Sequence, residues 1–156
     1  FLFISLLLLL KNCFSEDYFI IEFQAKVKNS IEYNISEKKK FKNYDLEGTF
    51  TDSYGNIGTF GAVIIADVDK GRLVRLDSTA ENIYSNNERF YLRGIREKSD
   101  VDAGIAYNII IGTTEKFKPL MGTKCTTSVR YLNDAIFGIN KCKLNDKSKK
   151  ILNNIN

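Results

Sequence analysis

The side chains that could carry out chemistry in this 156-residue chain are carboxylates, hydroxyls, phenols and amines, because it contains no histidine. Imidazole is the commonest general base near neutral pH and the commonest zinc ligand. A Ser-His-Asp or Cys-His mechanism is therefore excluded for these residues. We identify no catalytic motif and expect no cofactor.

Two carboxylates, Asp100 and Asp102, stand one residue apart and close to Gly104. Hard cations such as Ca²⁺ prefer oxygen ligands, but a calcium site needs about six to eight of them. No further run of acidic residues accompanies the pair. It is therefore a weak metal candidate, and an acidic turn is the simpler interpretation.

Residues 51–56 (TDSYGN) combine a carboxylate, hydroxyls and a phenol in the manner of a catalytic loop. Asp, Ser, Gly and Asn are also the commonest β-turn residues, each for a backbone reason. We therefore predict a turn here.

Residues 89–96 (RFYLRGIR) interleave arginines with aromatic rings, a pattern that can stack on nucleic-acid bases. An ordinary half-solvated strand gives the same pattern, because successive side chains point to opposite faces. Its two faces would be Arg89, Tyr91 and Arg93 against Phe90, Leu92 and Gly94. The net charge of +4 is small and concentrated in C-terminal lysines, so we expect no nucleic-acid partner.

Phe1–Leu10 (FLFISLLLLL) is an apolar run of the length typical of a signal peptide, and a membrane-spanning helix needs about 20 residues. Residues 13–15 (CFS) place small side chains where signal peptidase requires them. We predict a signal peptide over residues 1–15, a mature start at Glu16, and a periplasmic or secreted protein that is not an integral membrane protein. A buried N-terminal element and acylation of Cys13 are the alternatives.

Removal of that leader leaves two cysteines, Cys125 and Cys142, an even number that suits an exported protein. Symmetric strand pairing about a turn at residues 133–134 places Leu132 opposite Ala135. The same register places the two cysteines opposite each other, where Cα atoms approach to about 4.5 Å. A disulfide accepts that separation, so we predict a Cys125–Cys142 bond.

Eight segments rich in β-branched and aromatic residues alternate with turn signals along the chain. They are Tyr18–Val27, Leu46–Thr51, Ile57–Ala66, Arg72–Thr79, Arg89–Ile95, Ile105–Ile111, Lys124–Leu132 and Ala135–Cys142. No window of helical length shows an apolar i, i+3, i+4 stripe. The pattern predicts one all-β domain over residues 16–144, an antiparallel β-barrel of about eight strands, with a β-sandwich as the alternative. Residues 145–156 form a polar tail that frays or makes a short helix.

One connecting segment, Gly112–Phe117 (GTTEKF) followed by Gly122, resembles the Gly-Thr-Gly-x-aromatic…Gly turn of allene-oxide-cyclase-like and dirigent-like β-barrel proteins. The strand Ile105–Ile111 and residues 48–52 (GTFTD) are compatible with this resemblance. Thr114 stands where the family has its second glycine, and one extra residue precedes the aromatic. The resemblance implies an eight-stranded antiparallel barrel with an apolar interior able to hold a hydrophobic small molecule, and it transfers no catalytic residue.

Three functional hypotheses follow from these features. The first is a non-catalytic, exported β-barrel that binds a small apolar molecule in its interior. The second is a protein-interaction or inhibitor module that acts through a loop or strand edge held by a rigid scaffold. The third is an enzyme of cyclase or isomerase type, which predicts a cavity with a buried carboxylate or phenol of strongly displaced pKa.

Overall fold

The computed structural model describes residues 18–155, in which eight antiparallel strands close into a barrel in chain order. The strands are β1 (Tyr18–Asn34), β2 (Lys39–Asp52), β3 (Ile57–Asp69), β4 (Arg72–Tyr84), β5 (Arg89–Asp100), β6 (Ala103–Thr113), β7 (Lys124–Leu132) and β8 (Ala135–Lys143). Pairing of β1 with β8 completes the circle. The predicted eight-stranded barrel is confirmed, in place of the alternative sandwich, and the predicted signal peptide lies outside the described residues.

Most strands extend beyond the segments that β-propensity predicted, and most residues of the extensions are polar. Lys39 and Lys40, which precede the predicted strand Leu46–Thr51, pair with Asp69 and Val68 in the β2–β3 ladder. Strand propensity mainly measures side-chain packing, so backbone pairing with a neighbouring strand can override it.

Two-residue turns join β3 to β4 and β7 to β8. Lys70 and Gly71 form the two-residue β3–β4 turn with φ of 52° and 75°, and positive φ at both central positions matches the twist of the flanking strands. At the β7–β8 turn, Leu132 pairs with Ala135 in the predicted register.

Aromatic rings inside the barrel lie across glycines of neighbouring strands. Phe23 is paired with Gly138 and Phe60 with Gly48, and a Cβ atom on either glycine would overlap the ring. The absence of a side chain at these glycines lets each ring lie flat against the adjacent backbone.

A short helix, a 3₁₀ helix and the β2–β3 turn pack together at one end of the barrel. We call these three segments the plug. Helix α1 (Asp146–Asn153) follows β8, and the 3₁₀ helix Glu115–Leu120 connects β6 to β7. The Asn145 side chain caps α1 by accepting from the Ser148 backbone N–H, and the Ser148 hydroxyl donates to the Pro119 carbonyl at 2.9 Å. Residues 145–156 therefore provide the short helix of the two predicted alternatives.

Helix α1 packs against the barrel although it carries no complete apolar i, i+3, i+4 stripe, because position i is the polar residue Ser148. Ile151, Leu152 and Ile155 follow Ser148 at the spacing i+3, i+4 and i+7, and Leu152 and Ile155 are buried against the barrel. No helix within residues 18–155 has the length and apolar character needed to cross a bilayer.

Candidate functional site

Above the plug the interior of the barrel contains a partly open cavity of about 100 Å³. Much of its wall is apolar and includes Ile21, Phe23, Leu46, Phe60, Ile64, Leu76, Leu92, Val129 and Ile136. A smaller set of polar side chains faces the same space, namely Ser78, Asn82, Arg96, Asn108, Thr127, Tyr131 and Asn140. An apolar enclosure with a few convergent polar groups is the usual composition of a small-molecule site.

Arg96 is the only charged side chain in that lining, and it is 2% exposed. Its Nη2 atom donates to the Val101 carbonyl at 2.8 Å. The Nε and Nη1 atoms have no hydrogen-bond partner among residues 18–155, and no carboxylate of those residues lies within salt-bridge distance. An unpaired buried charge costs several kcal/mol, so this guanidinium needs an explanation.

The strand pattern of β5 places Arg96 inside the barrel. Phe90, Leu92, Gly94 and Arg96 alternate with outward residues, as the predicted two-faced strand requires. Arg96 pairs with Leu76 on β4, whereas the β5–β6 register ends one residue earlier, at Ile95 opposite Tyr107. Arg96 therefore lies where β5 and β6 separate.

A glycine on β6 leaves room for the Arg96 side chain. A Cβ atom built on Gly104 would lie 3.0 Å from Cδ of Arg96, closer than nearly all real Cβ contacts. The aliphatic part of the arginine thus packs where the facing strand has no side chain. Sequence reasoning noted Gly104 only as a neighbour of the acidic pair.

A pair of phenols lies beside the guanidinium. The hydroxyls of Tyr44 and Tyr131 are 3.0 Å apart, and Tyr131 lines the cavity. Burial, and then the neighbouring Tyr131, raise the pKa of the Tyr44 phenol well above its ordinary value, although the nearby charge of Arg96 acts in the opposite direction. The phenol stays protonated, so it can donate a hydrogen bond but cannot serve as a base near neutral pH.

Neutral amides and a hydroxyl form a second polar group on the wall. Asn108 donates to the Asn140 side-chain carbonyl at 3.1 Å, and Thr127 is hydrogen-bonded to both. Another amide, Asn82, is buried and its Nδ2 atom has no partner among the described residues. Arg96 and Asn82 are therefore the cavity side chains whose fully buried donors have no partner among residues 18–155.

The plug contains a buried carboxylate with a complete set of partners. Asp52 accepts hydrogen bonds from the backbone N–H groups of Tyr54 and Asn56, from the Asn56 amide, and from the Tyr84 hydroxyl, at 2.9–3.2 Å. The Asn56 amide also donates to the Leu152 carbonyl, which ties the turn to α1. Burial, and then the Asp52 charge, raise the pKa of Tyr84 well above its ordinary value. Residues 51–56 form a structural turn, as predicted.

The predicted metal candidates lie at the rim and do not line the cavity. Asp100 ends β5 and forms an exposed salt bridge with Arg72 at 3.5 Å. Asp102 is in the β5–β6 turn, where its backbone carbonyl accepts from the Tyr131 N–H at 2.8 Å. No group of three potential metal ligands occurs within residues 18–155. The geometry is that of an acidic turn.

The disulfide joins β7 to β8 at the predicted position. Cys125 and Cys142 are paired across the ladder with their Cα atoms 4.1 Å apart and their sulfurs bonded. Cys142 also pairs with Phe19 of β1, so the bond lies near the strand pair that closes the barrel.

The segment that resembles the allene-oxide-cyclase-like and dirigent-like turn includes the 3₁₀ helix of the plug. Gly112 and Thr113 end β6, and the following 3₁₀ helix places Phe117, which is fully buried, with its ring edge-on to Tyr84. Gly122 closes the connection at φ 77°. No protein-family model, curated protein or solved structure matches the chain.

Sequence reasoning missed Arg96 and Tyr44 as site residues. For Arg96 the signal was present, because the alternation that put Phe90, Leu92 and Gly94 inside also puts Arg96 inside. Tyr44 belongs to the polar extension of β2, which the local sequence did not identify as a strand.

Proposed function

We propose that the protein is an exported, non-catalytic β-barrel that binds a small, largely apolar molecule in its interior. The observation that carries this proposal is the interior cavity, whose wall is mostly apolar but includes a few polar groups. A comparable engineered cavity of ~150 Å³ binds benzene, whereas drug-sized ligands occupy ~300–1,000 Å³. A cavity of about 100 Å³ suits a compact molecule.

Export is the part of the proposal that concerns compartment. A disulfide is stable in an oxidising compartment, and the Cys125–Cys142 pair fits one. The apolar run at residues 1–10 has the length of a signal peptide. The resemblance to allene-oxide-cyclase-like and dirigent-like barrels also favours an interior ligand site, through the architecture alone.

Binding can be tested with purified protein and a panel of compact apolar molecules, such as toluene, indole and hexanol, by ligand-observed NMR. Ala106 is buried on the cavity wall, so Ala106→Leu should fill the space and abolish binding. Ala103 lies on the same strand but is exposed, and Ala103→Leu is the matched control. Failure of the whole panel, or binding that survives in Ala106→Leu, would refute the proposal.

A second candidate function is recognition of an extended polypeptide by the end of β1. Pairing of β1 with β8 ends at Lys26 opposite Ala135, whereas pairing with β2 continues to Asn34. Among the described residues, positions 27–34 therefore have one unpaired edge, which includes the exposed side chains of Ile31 and Tyr33. Such an edge can accept a further strand.

This second function predicts a partner from periplasm or culture medium that wild-type protein captures and that Ile31→Lys/Tyr33→Lys does not. Tyr107→Lys, at an exposed aromatic on β6, is the control and should retain the partner. Equal capture by all three proteins would contradict it.

A further inference from the structure

One positively charged side chain, that of Arg96, lines the cavity. Arg96 is the one charged residue in the lining, and the buried carboxylate Asp52 is absent from that lining and surrounded by its own donors. The exposed carboxylates near β5, including Glu97 and Asp77, are held by Arg75 on the outer surface. A ligand that complements this cavity brings one negative charge.

The unused donors belong to a group that recognises carboxylates. A guanidinium has five N–H donors in a fixed planar arrangement that matches carboxylate geometry. Nη2 of Arg96 uses one on Val101, while Nε and Nη1 have no partner among residues 18–155. The neighbouring Tyr131 hydroxyl and Asn82 amide also line the cavity as hydrogen-bonding groups.

The remainder of the wall restricts the class of anion. A phosphate carries about 1.5–2 negative charges near neutral pH, more than one guanidinium neutralises. The side chains facing Arg96 are largely apolar and the volume is small. These features favour a compact apolar body with a single carboxylate.

We propose that the ligand of this barrel is a compact monocarboxylate whose carboxyl group binds Arg96. This inference rests on the proposed interior binding function and specifies its ligand class. Arg96 supplies the charge and two sets of unused donors, and the apolar wall receives the body of the ligand.

Three probes of similar size and different charge test the proposal, namely benzoate, benzyl alcohol and benzylamine, measured by calorimetry or NMR titration. Wild-type protein should bind benzoate more tightly than benzyl alcohol, and benzylamine weakest. Arg96→Met keeps most of the side-chain volume and removes the charge, so benzoate should bind about tenfold more weakly or worse. Benzyl alcohol should bind this variant within about threefold of wild type.

Arg93→Met is the matched control, because Arg93 lies on the same strand but faces solvent. It should leave binding of all three probes unchanged. Thermal unfolding verifies that each variant is folded. If Arg96→Met fails to fold, Arg96→Lys provides the test, and it should keep the preference for benzoate over benzyl alcohol with weaker affinity.

The outcomes separate this inference from the function beneath it. Benzyl alcohol binding as tightly as benzoate, or benzoate binding that survives in Arg96→Met, overturns the carboxylate assignment and leaves interior binding standing. Failure of all three probes to bind wild-type protein overturns the carboxylate assignment, and failure of the toluene, indole and hexanol panel as well overturns interior binding.

Discussion

Asp52 in the plug and Arg96 in the cavity are both buried charges, but their hydrogen bonding differs sharply. Four donor groups surround the Asp52 carboxylate, whereas the Arg96 guanidinium makes one hydrogen bond among the described residues. A fully satisfied polar network rigidifies a core, and a partly satisfied one costs free energy. The difference indicates a structural role for Asp52, and it is the reason that we propose a binding role for Arg96.

The largest effect is expected from removal of the satisfied carboxylate. Asp52→Ala would leave the Tyr84 hydroxyl and the Asn56 backbone N–H buried without an acceptor, at a cost of about 3 kcal/mol or more in unfolding free energy. Denaturant unfolding measures the loss. The control is Glu97→Ala, which removes an exposed carboxylate paired with Arg75 and should cost less than ~1 kcal/mol. Equal effects in the two variants would show that the plug network is not structural.

The disulfide beside the plug should have the next largest effect. Replacement of both Cys125 and Cys142 by serine releases the β7–β8 hairpin, and loop-closure entropy predicts a loss of about 3 kcal/mol. Chemical reduction of the wild-type protein should lower the melting temperature in parallel. A melting temperature unaffected by reduction would contradict this prediction.

Each of the two regions contains a buried phenol with a raised pKa. These are Tyr84 in the plug and Tyr44 near Arg96, so the stability of the protein at alkaline pH depends on both. Below pH ~10 both phenols are protonated in the folded and unfolded states, so they add no pH dependence. Above that pH the unfolded chain loses protons that the folded chain retains, so unfolding free energy should fall.

Unfolding measurements between about pH 8 and 11, followed by tyrosinate absorbance, show this decline. Tyr84→Phe should reduce the slope of the decline in unfolding free energy with pH, and Tyr44→Phe should reduce it as well. A decline of equal slope in wild type and both variants would rule out these two phenols as its source.

The smallest effect on stability is expected from Arg96→Met, within about 1 kcal/mol of wild type and not strongly destabilising. Replacing an unpaired buried charge by an apolar side chain of similar length removes a desolvation cost and retains packing. Thermal and denaturant unfolding measure it. A loss as large as that in Asp52→Ala would make Arg96 a structural residue and erase the contrast.

The β7–β8 hairpin shows what the sequence alone could predict. Its register depends on a turn and on pairing between segments adjacent in the chain, so symmetry about residues 133–134 was sufficient to place Cys125 opposite Cys142. The number of strands was predictable for the same reason, because each strand is separated from the next by turn residues.

The site itself depends on contacts between distant segments. Tyr44 contacts Tyr131 only after the barrel closes. Arg96 has no acidic partner among residues 18–155, because the side chains that line the cavity with it include no carboxylate. Helix α1 was also missed as a packed element. Only Ile151 and Leu152 of this helix are apolar, and their burial depends on the barrel surface that they contact. Local pattern shows which face a residue occupies, but not which residues lie opposite.

The ladder between β1 and β8 has a kinetic consequence. These strands lie at opposite ends of the described chain, so their nine paired positions form only after every intervening strand has been synthesised. Contacts of such long sequence separation slow folding, whereas the β7–β8 hairpin with its sulfur bridge is local and quick to form. A nascent chain that stops short of residue 135 lacks β8, so β1 has no partner with which to close the sheet into a barrel.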